Sequence, residues 1–587
     1  PGSLVGSEMC IRDSFVGGGK FPEYEGRRVY FDLSQIRPKG AKISGGFKAP
    51  GPNGLRRSLD KIEHLLQGIV LDSKEPIDIK PINAYDIAMH AADAVLSGGV
   101  RRSATICLFS PDDEEMMNAK TGNWFMDNPQ RGRSNNSAVI VRNETTPEQF
   151  GKIMESVKQF GEPGFVFVES TEHTTNPCVE IGMYPQINKK SGWQGCNLTE
   201  INGGKCNTEE DFYKACRAAS ILGTLQAGYT DFKFLTDTSK LIFDREALLG
   251  VSITGWMNNP DILFDEKVLQ KGAEIVKKVN REVAQIIGIN AAARTTCVKP
   301  SGNASVLLQT ASGIHAEHSN MYIRNVQMNK ESEITQAIMK TNPYMVEESV
   351  WSAGGTDVVV SFPILPKKGS MYKDDLLGVK HLELVKKAQK HWVEAGTNED
   401  LCADKGVRHN VSNTIIVDDW DEVEKYVFEN RHSFAGISFL AMSGDKDYNQ
   451  APNTAVITAK DMVKKYGNAA VFASGMVVDA LKCFNNLWDA CSTAKGFGED
   501  LSLESSENAM KKDWVRRFGK FADNYLDSNT ELAEHCLKDA YLLHKWNKIQ
   551  STLKTVDWKE DITERKYTDV DTLAAAACAG GACEIDF

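Results

Sequence analysis

Hydrophobic residues follow two periods along this chain, one typical of strands and one typical of helices. Six short segments rich in β-branched and aromatic residues are bounded by turn residues, which is the pattern of buried strands. Between them, apolar positions recur every three or four residues, as on the packed face of a helix. Strands that alternate with helices indicate an α/β fold. The predicted strands are residues 137–141, 165–168, 249–254, 357–362, 413–417 and 437–442.

The clearest helical pattern covers residues 266–287. Its apolar side chains fall on one side of a helix and predict a single packed face. No repeat of fixed period appears in the sequence, so a solenoid is not indicated. The predicted face consists of Val268, Leu269, Ala273, Ile275, Val276, Val279, Val283, Ile286 and Ile287.

The composition is that of a folded, enzyme-sized chain. Hydrophobic residues make up 41% and charged residues 25% of the 587 residues, which excludes disordered, collagen-like and coiled-coil proteins. The net charge of −11 argues against a nucleic-acid or membrane-surface partner. No apolar run reaches the ~18 residues of a membrane span. We therefore expect a cytoplasmic protein with no nucleic-acid and no membrane partner.

The 13 cysteines are an odd and sparse set, which indicates reduced thiols rather than a disulfide framework. Cys178 stands out, because a proline before it presents the thiol on a turn in the sequence Asn176-Pro177-Cys178-Val179-Glu180. An amide two residues earlier and a carboxylate two residues later face the same side of an extended segment. On these residues alone, an ordinary loop cysteine and a catalytic cysteine both remain open.

Two other groups of residues could bind a metal ion. Cys196, Cys206 and Cys216 follow one another at ten-residue intervals, but without a CxxC knuckle a zinc site is disfavoured. His315 and His318 have the i, i+3 spacing of helical ligands, but no HExxH pattern or further ligand cluster accompanies them. We therefore expect no metal site.

The segment 296–308 is a small-residue turn that leads into an apolar element. Its free backbone N–H groups, two hydroxyls and a glycine could cradle a phosphate at the start of a helix. A capped helix start explains the same residues, so both interpretations remain open. No GxxxxGK[ST] motif is present. The residues in question are Pro300, Ser301, Gly302, Asn303, Ala304 and Ser305.

Two cysteines lie close to the C-terminus, where a core residue is not expected. Four small residues, two of them glycine, separate Cys578 from Cys583, and this spacer bends easily enough for the sulfurs to form a disulfide. A flexible tail from residue 566 could carry the dithiol into a buried site and back to solvent. The alternative is a frayed end whose thiols have no role.

Taken together and in order, these motifs resemble those of the large chain of ribonucleotide reductases. Within that family they resemble the monomeric, adenosylcobalamin-dependent (class II) ribonucleoside-triphosphate reductases. The resemblance runs from about residue 26 to the C-terminus, and the order of the motifs makes it specific. The motifs are DLSQIRPKG (32–40), GGVRRSA (98–104), NPCVE (176–180), KPSG (299–302), GISFL (436–440) with QAP (450–452), and CAGGAC (578–583).

The resemblance implies a ten-stranded α/β barrel with a central finger loop that carries Cys178. In the family, this cysteine forms a transient thiyl radical that takes the 3′-hydrogen of the ribose. Glu180 would accept the proton of the 3′-hydroxyl, as a carboxylate within hydrogen-bond reach can do. Asn176 would hydrogen-bond the ribose hydroxyls. The product would be a 2′-deoxyribonucleoside triphosphate.

The same resemblance implies a thiol relay. Cys196 would be one of two thiols that become a disulfide as the 2′-hydroxyl leaves as water. Cys578 and Cys583 would reduce this disulfide by exchange. Thioredoxin or a similar dithiol reductant would then restore the terminal thiols.

The resemblance also assigns the phosphate loop and the cofactor. Residues 300–305 would bind the substrate phosphates, with Asn303 in place of a commoner threonine, which leaves hydroxyl contacts to Ser301 and Ser305. Adenosylcobalamin is the expected radical source, because the sequence has neither the adjacent tyrosines of a class I chain nor the glycyl-radical motif of class III. A class I ribonucleoside-diphosphate reductase large subunit and a catalytically inactive nucleotide-binding fragment remain the alternatives.

The chain is divided on the same basis. Residues 1–14 resemble translated adapter sequence and are interpreted as an artefactual leader, 15–40 as the remnant of an effector-binding insertion, 41–565 as the catalytic barrel and 566–587 as a mobile redox tail. The family's second redox thiol precedes the 34–40 motif, where Cys10 in the leader is the one candidate, and Cys107 does not match it. We therefore expect missing first strands and low turnover, in a monomer regulated by a deoxynucleotide effector.

Overall fold

Strands and helices alternate along the chain in a computed structural model. The structure describes residues 31–39, 41, 49, 51–71, 79–94, 96–97, 100–101, 104–233, 235–330, 332–350, 357–442, 450–467 and 530–558. The predicted leader 1–14, most of the segment 15–40 and the tail 566–587 lie outside these residues, as do Cys10, Cys578 and Cys583.

Seventeen strands and fifteen α-helices are defined within the described residues. The strands are β1 (Leu96–Ser97), β2 (Val100–Arg101), β3 (Thr105–Phe109), β4 (Ser134–Val141), β5 (Gly164–Val168), β6 (Thr174–Thr175), β7 (Gly182–Met183), β8 (Gln186–Ile187), β9 (Lys190–Ser191), β10 (Asn197–Asn202), β11 (Leu249–Thr254), β12 (Tyr322–Asn329), β13 (Val346–Glu348), β14 (Asp357–Ile364), β15 (Thr414–Val417), β16 (Ser438–Ala441) and β17 (Asn453–Ala455). The helices are α1 (Asn53–Leu71), α2 (Pro81–Asp93), α3 (Glu114–Met117), α4 (Trp124–Asp127), α5 (Pro147–Phe160), α6 (Glu209–Ala227), α7 (Asp237–Glu246), α8 (Pro260–Leu263), α9 (Glu266–Ile287), α10 (Gly302–Leu308), α11 (Glu333–Thr341), α12 (Gly378–Ala388), α13 (Trp420–Glu429), α14 (Ala459–Tyr466) and α15 (Thr530–Thr552).

All six predicted strands are confirmed. The prediction for 249–254 matches β11 at both ends, and the other five differ from β4, β5, β14, β15 and β16 by a few residues at their ends. Five of the six pair in parallel, whereas β14 lies in an antiparallel sheet. The α/β class is therefore confirmed, with an antiparallel portion that the hydrophobic pattern did not distinguish.

Parallel strands form a row that supports the site. β10 pairs with β11, β15 with β16, and β4 with both β3 and β5, all in parallel. Isolated parallel bridges join Val251 to Thr296 and Val298 to Val411. The segment 294–298 therefore lies between β11 and the strand that leads into β15, and the order of this group is β10, β11, 294–298, β15, β16.

The strands of this group run antiparallel to those of the β3–β4–β5 sheet at the point where the two meet. Val166 of β5 forms an antiparallel bridge with Gly436, and the Phe167 N–H donates to the Ala435 carbonyl oxygen at 2.6 Å. We call this junction the seam. The described residues do not show closure into a ten-stranded barrel, which stays a prediction.

A buried arginine reinforces the seam. Arg142, which directly follows β4, is 2% exposed and donates to the carbonyl oxygens of Arg431 at 3.0 Å and Phe434 at 2.7 Å. Glu169 accepts from the same guanidinium at 3.1 Å. A buried cation needs such partners. These bonds also join the β3–β4–β5 sheet to the segment before β16, so side-chain bonds as well as backbone bonds hold the seam.

Helix α9 has the predicted bounds and most of the predicted face. Asp265 caps its N-terminus with a side chain that accepts from two backbone N–H groups, and Gly288, with a φ of 75°, caps its C-terminus. Ile286 and Ile287, predicted to be packed, are instead exposed, at 81% and 37%. They lie in the last turn before the glycine cap, and Ile289 beyond the cap packs against the core in their place.

A second, smaller core lies on the antiparallel sheet. This sheet has the order β13–β14–β12–β17, and α15 packs against it through Ile549, which contacts the cluster that contains Val346, Val358 and Val360. None of the helices in the described residues is long and apolar enough to cross a membrane.

The packed face of α9 predicts a difference between two leucine-sized positions on one helix. Leu269→Ala should lower the free energy of unfolding by about 2–5 kcal/mol, because Leu269 is fully buried and its loss leaves a cavity. Ile286→Ala on the exposed side is the matched control and should change stability by less than about 0.5 kcal/mol. Urea unfolding followed by circular dichroism measures both values, and equal losses would contradict this assignment of the face.

Candidate active site

The residues Asn176, Cys178 and Glu180 lie on one β-hairpin, formed by β6 and β7. The Val179 N–H donates to the Asn176 carbonyl oxygen at 2.9 Å, and the Ile181 N–H donates to Asn176 Oδ1 at 3.1 Å. Val179 has a φ of 65°, so the chain reverses sharply after the cysteine. As a result Cys178 is exposed at the tip, whereas Glu180 is 2% exposed.

The base of the hairpin is attached to the strand segment that precedes β15. The Asn410 N–H donates to the Glu180 carbonyl oxygen at 2.9 Å, and the Gly182 N–H donates to His409 Nδ1 at 3.2 Å. A Cβ atom at residue 182 would overlap the carbonyl oxygen of Arg408. Glycine is therefore required there for the hairpin to lie flat against this strand.

The Glu180 carboxyl group is buried and only partly neutralised. Its Oε2 atom has no hydrogen-bond partner among the described residues. Burial raises the pKa of this carboxyl, while a hydrogen bond from Asn176 and the positive charge of Lys299 oppose the shift and Glu200 adds to it. A carboxyl whose pKa is raised toward neutrality is suited to exchange a proton with a ligand.

The Cys178 thiol remains protonated at neutral pH. Although the residue is exposed, its surroundings remove water from the sulfur, which is the main reason that its pKa is raised. The negative charge of Glu180 raises the pKa further, and Lys299 lowers it. An S–H bond is therefore present at the hairpin tip, rather than a thiolate.

Cys196 lies directly before β10, with its sulfur 3.9 Å from His409 Nε2. Burial strongly raises the pKa of its thiol, Arg294 opposes this, and Glu180 adds to it. His409 links Cys196 to the hairpin that carries Glu180, because its Nδ1 atom accepts the Gly182 N–H at 3.2 Å. The terminal cysteines, Cys578 and Cys583, lie outside the described residues.

The predicted phosphate loop leads into α10, and Ser301, directly before the helix, has a left-handed backbone conformation. Ser301 has a φ of 57°, and its hydroxyl donates to Glu200, which also forms an ion pair with Lys299 at 3.2 Å. The Ser305 hydroxyl donates to the Gly302 carbonyl oxygen at 3.1 Å. Neither hydroxyl caps the helix, so the side-chain-capped alternative is not observed.

The loop nevertheless leaves backbone groups available for a ligand. Gly302 and Asn303 are exposed, and a Cβ at Gly302 would meet no atom within 4 Å. The first N–H groups of a helix have no partner within the helix. Backbone N–H groups at residues 302–304, rather than the serine hydroxyls, are therefore the donors that this segment offers.

A cavity of about 290 Å³ joins the hairpin tip to both halves of the strand row. It lies at the seam, and the Asn135 amide beside it donates to the Pro177 carbonyl oxygen at 2.9 Å. A second, largely apolar cavity of about 1040 Å³ is lined in part by Ser305 and Val306 of α10. The smaller cavity is lined by Asn135, Cys178, Pro300, His315, Ser412 and Ser438, among others.

No cluster of three potential metal ligands occurs within the part of the chain that the structure describes. His315 is fully occupied by protein partners, because its Nδ1 lies 2.9 Å from the Ser312 carbonyl oxygen and its Nε2 accepts from the Thr414 N–H at 2.9 Å. Cys206 and Cys216 are buried, and the Cys206 thiol donates to the Asn202 carbonyl oxygen at 3.4 Å.

The sequence did not point to three residues that organise this site. His409 contacts both the hairpin and Cys196, Asn135 fixes the hairpin tip, and Glu200 pairs with Lys299. Glu200 could have been noticed, because residues two apart on a strand share a face. A carboxylate on the same face of β10 as the apolar Leu198 is unusual. Nothing in the sequence around His409 or Asn135 distinguishes them from ordinary polar residues.

Several curated proteins that carry the same enzyme name are similar in sequence to this chain. No protein-family model matches it. The "probable adenosylcobalamin-dependent ribonucleoside-triphosphate reductase" of Dictyostelium discoideum is 26% identical over 391 residues, which cover 62% of this chain and 48% of that protein. The adenosylcobalamin-dependent ribonucleoside-triphosphate reductase of Euglena gracilis is 24% identical, covering 73% and 57%. That of Lactobacillus acidophilus is 23% identical, covering 72% and 59%. The chain thus spans about half the length of these relatives.

The fold is that of a known class of enzyme. The crystal structure of a B12-dependent (class II) ribonucleotide reductase superimposes with a TM-score of 0.61 at 20% identity, over 76% of this chain and 64% of that chain. The resemblance predicted from the motifs is therefore confirmed. The curated relatives are adenosylcobalamin-dependent ribonucleoside-triphosphate reductases, and the fold is shared with class II.

The buried Glu180 carboxyl predicts a specific pH dependence of stability. Its pKa is raised in the folded chain above the ordinary value of 4.5, so the folded state holds more protons than the unfolded state between the two pKa values. The contribution to stability is present below pH 4.5 and is lost as the pH rises through the folded pKa. Glu180→Gln should therefore gain stability relative to wild type with rising pH in that window, as measured by urea unfolding.

The exposed residue Glu144 supplies the control for this measurement. Glu144→Gln should follow the wild-type curve at every pH, because the side chain is in water in both states. If the two variants gave the same profile, Glu180 would not be the buried acid that the geometry indicates.

Proposed function

We propose that this chain is the catalytic part of an adenosylcobalamin-dependent ribonucleoside-triphosphate reductase. The reaction converts ribonucleoside triphosphates to 2′-deoxyribonucleoside triphosphates through a thiyl radical. The observation that carries the proposal is the hairpin with an exposed thiol at Cys178 and a buried carboxyl at Glu180. The names of the curated relatives support the same reaction.

Cys178 is proposed to carry the radical. Loss of the thiol hydrogen atom leaves a thiyl radical, which takes the 3′-hydrogen of the ribose and returns it at the end of the reaction. The raised pKa of the thiol supports this role, because a hydrogen atom can be removed from S–H and not from a thiolate. The exposed tip beside the cavity of about 290 Å³ gives a ribose access to the sulfur.

Glu180 and Asn176 are proposed to handle the ribose hydroxyls. Once the 3′-hydrogen has been removed, the carboxylate of Glu180 takes the 3′-hydroxyl proton, and the 2′-hydroxyl leaves as water. The burial that raises the pKa of Glu180 brings it closer to the pH at which a base can both accept and return a proton. Asn176 hydrogen-bonds the ribose hydroxyls, and its side chain is fixed on the hairpin because Oδ1 accepts the Ile181 N–H at 3.1 Å.

Two electrons are needed for the loss of the 2′-hydroxyl, and Cys196 is proposed to supply them with a second thiol. The two thiols become a disulfide as water leaves. Cys578 and Cys583 are proposed to reduce that disulfide by exchange and to be reduced in turn by thioredoxin or a similar dithiol. The contact of Cys196 with His409, whose Nδ1 atom accepts the Gly182 N–H of the Cys178 hairpin, supports its part in this relay.

The substrate phosphates are proposed to bind at residues 300–305. Pro300 shares the cavity with Cys178, and the exposed first turn of α10 offers N–H groups to an anion. Lys299 adds a positive charge nearby, although Glu200 neutralises part of it. A deoxynucleotide effector, a monomeric state and a cytoplasmic location, with no nucleic-acid or membrane partner, complete the proposal.

The residues around Cys178 fit a cofactor that reaches the thiol from outside the hairpin. The sulfur is exposed, and the cavity of about 290 Å³ beside it lies at the low end for ligand pockets, which suits a ribose rather than a corrin ring. Adenosylcobalamin, when bound, supplies the radical that removes the thiol hydrogen atom.

The proposal predicts that deoxynucleotide formation depends on adenosylcobalamin. Ribonucleoside triphosphates, a deoxynucleotide effector and a dithiol are mixed with the chain. Deoxynucleotide should form with the cofactor and stay at background without it. Product formation that is indifferent to adenosylcobalamin would overturn the class II assignment and favour a class I enzyme. Nucleotide binding with no product would favour an inactive nucleotide-binding fragment.

The role of Cys178 is tested by a single change. Cys178→Ser should reduce turnover by at least about 1,000-fold, as loss of an obligatory catalytic group does, because an O–H bond is too strong to take the place of S–H. Cys107→Ser, a half-buried cysteine of β3 with no assigned role, is the control and should retain turnover. Nucleotide binding by both variants checks that they fold.

A further inference from the structure

A carboxylate on β10 reaches the proposed phosphate loop across the neighbouring strand. Glu200 lies opposite Ser252 of β11 in the register of this parallel pair. The Ser252 hydroxyl oxygen in turn accepts the Lys299 N–H at 2.9 Å. Thr296 bridges in parallel to Val251 of β11. Glu200, Ser252 and Lys299 therefore follow one another across three adjacent segments.

Both carboxylate oxygens of Glu200 are in contact with the loop. Its Oε2 atom accepts from Lys299 Nζ at 3.2 Å, and its Oε1 atom accepts the hydroxyl of Ser301. The Glu200 side chain is 9% exposed, so these two donors replace the water that a buried carboxylate lacks. One side chain therefore holds the residues on both sides of Pro300.

Ser301 has a backbone conformation that needs such a contact. Its φ of 57° lies in the left-handed region, which costs free energy for residues other than glycine. The residue is buried, and its hydroxyl is directed at Glu200. The bond from Ser301 to Glu200 therefore stabilises the conformation that leads the chain into α10.

The residues before Ser301 are held by a different segment. The Ser312 hydroxyl donates to the Pro300 carbonyl oxygen at 2.5 Å. A Cβ atom at Gly313 would overlap the Lys299 carbonyl oxygen. The backbone at 299 and 300 is thus in close contact with 312 and 313, whereas the side chain of Ser301 is held by Glu200.

Lys299 supplies a positive charge beside the loop. Its side chain is 24% exposed, and its Nζ atom lies 3.2 Å from Glu200. An ammonium group has three N–H donors, so this contact leaves donors for an anion. Pro300, the next residue, lines the cavity beside Cys178. The contact with Glu200 therefore fixes a cationic group next to a residue of the cavity wall.

We propose that Glu200 is a positioning residue for the substrate phosphates, which fixes residues 300–305 through Ser301 and holds the Lys299 ammonium group beside them. The proposal rests on the proposed function and extends it to a residue outside the phosphate loop. Glu200 acts through its two partners, because a carboxylate and a triphosphate repel each other. The competing interpretation is that Glu200 only competes with the substrate for Lys299, and it predicts tighter binding when the carboxylate is removed.

Two substitutions of Glu200 separate these interpretations. Glu200→Ala removes the acceptor for Ser301 and should weaken binding of cytidine 5′-triphosphate about 10-fold, as loss of a hydrogen bond to a charged group does. Glu200→Gln keeps an acceptor oxygen for Ser301, so its dissociation constant should stay within about threefold of wild type. Isothermal titration calorimetry measures both constants. Unchanged or tighter binding by Glu200→Ala would overturn the proposal.

A double-mutant cycle tests whether Glu200 acts through Ser301. Ser301→Ala should also weaken binding of cytidine 5′-triphosphate, because it removes the same hydrogen bond. The double variant should bind within about twofold of Glu200→Ala alone, since the two changes remove one shared interaction. If the losses of the single variants multiplied in the double variant, the two residues would act independently and the proposal would be wrong.

A second buried carboxylate supplies the matched control. The Glu347 side chain is also 9% exposed and forms an ion pair with Lys545 at 2.9 Å, but Glu347 lies on β13 and lines neither cavity described above. Glu347→Ala should lower the melting temperature, as Glu200→Ala does, and leave the affinity for cytidine 5′-triphosphate unchanged. An equal loss of affinity in Glu347→Ala would mean that general destabilisation explains the effect, and would overturn the proposal.

These binding measurements require neither turnover nor cofactor. If the wild-type chain does not bind cytidine 5′-triphosphate, the proposed phosphate site is wrong, and the role of Glu200 with it. If the wild-type chain binds and the Glu200 variants depart from the expected pattern, the role of Glu200 alone is wrong. Failure of the proposed function and failure of the Glu200 assignment are therefore distinguishable.

Discussion

The attachment of the Cys178 hairpin to the strand segment 408–411 is the constraint on which the rest of the site depends. A short hairpin within a strand framework exposes backbone N–H and C=O groups that must find partners. Here Asn410 and His409 supply them to Glu180 and Gly182. Because the base of the hairpin is fixed, Cys178 can be exposed at the tip while Glu180, two residues away, is buried.

Burial of charge without full neutralisation sets the chemistry of this region. Arg294 and Glu246 form a fully buried ion pair at 2.9 Å, and two guanidinium nitrogens of Arg294 have no partner among the described residues. Such pairs are costly to bury and add little net stability. The remaining positive charge acts on Cys196 and His409, so this pair contributes mainly to the electrostatic environment of the thiol and the ring.

The sequence predicted local features well and contacts between distant segments poorly. Period-two and period-3.6 patterns identified six strands and the bounds of α9, because these follow from which face of an element is buried. The turn at Cys178 was predicted because a proline precedes the cysteine, whereas the roles of the hairpin residues came from the family resemblance and not from their spacing. His409 was not, because its function comes from contacts with residues 182 and 196, more than 200 positions away. Ile286 was misassigned because periodicity does not show where a helix leaves the core.

The seam between the two groups of strands has a mechanical consequence. Within each group, successive backbone hydrogen bonds join neighbouring strands, whereas the seam is held mainly by side chains. Arg142 and Arg431 each donate to backbone carbonyl oxygens on the other side, and Phe165 packs against Phe439. The cavity beside Cys178 lies at this seam, with walls from both groups. A ligand that fills it therefore contacts both groups of strands at once.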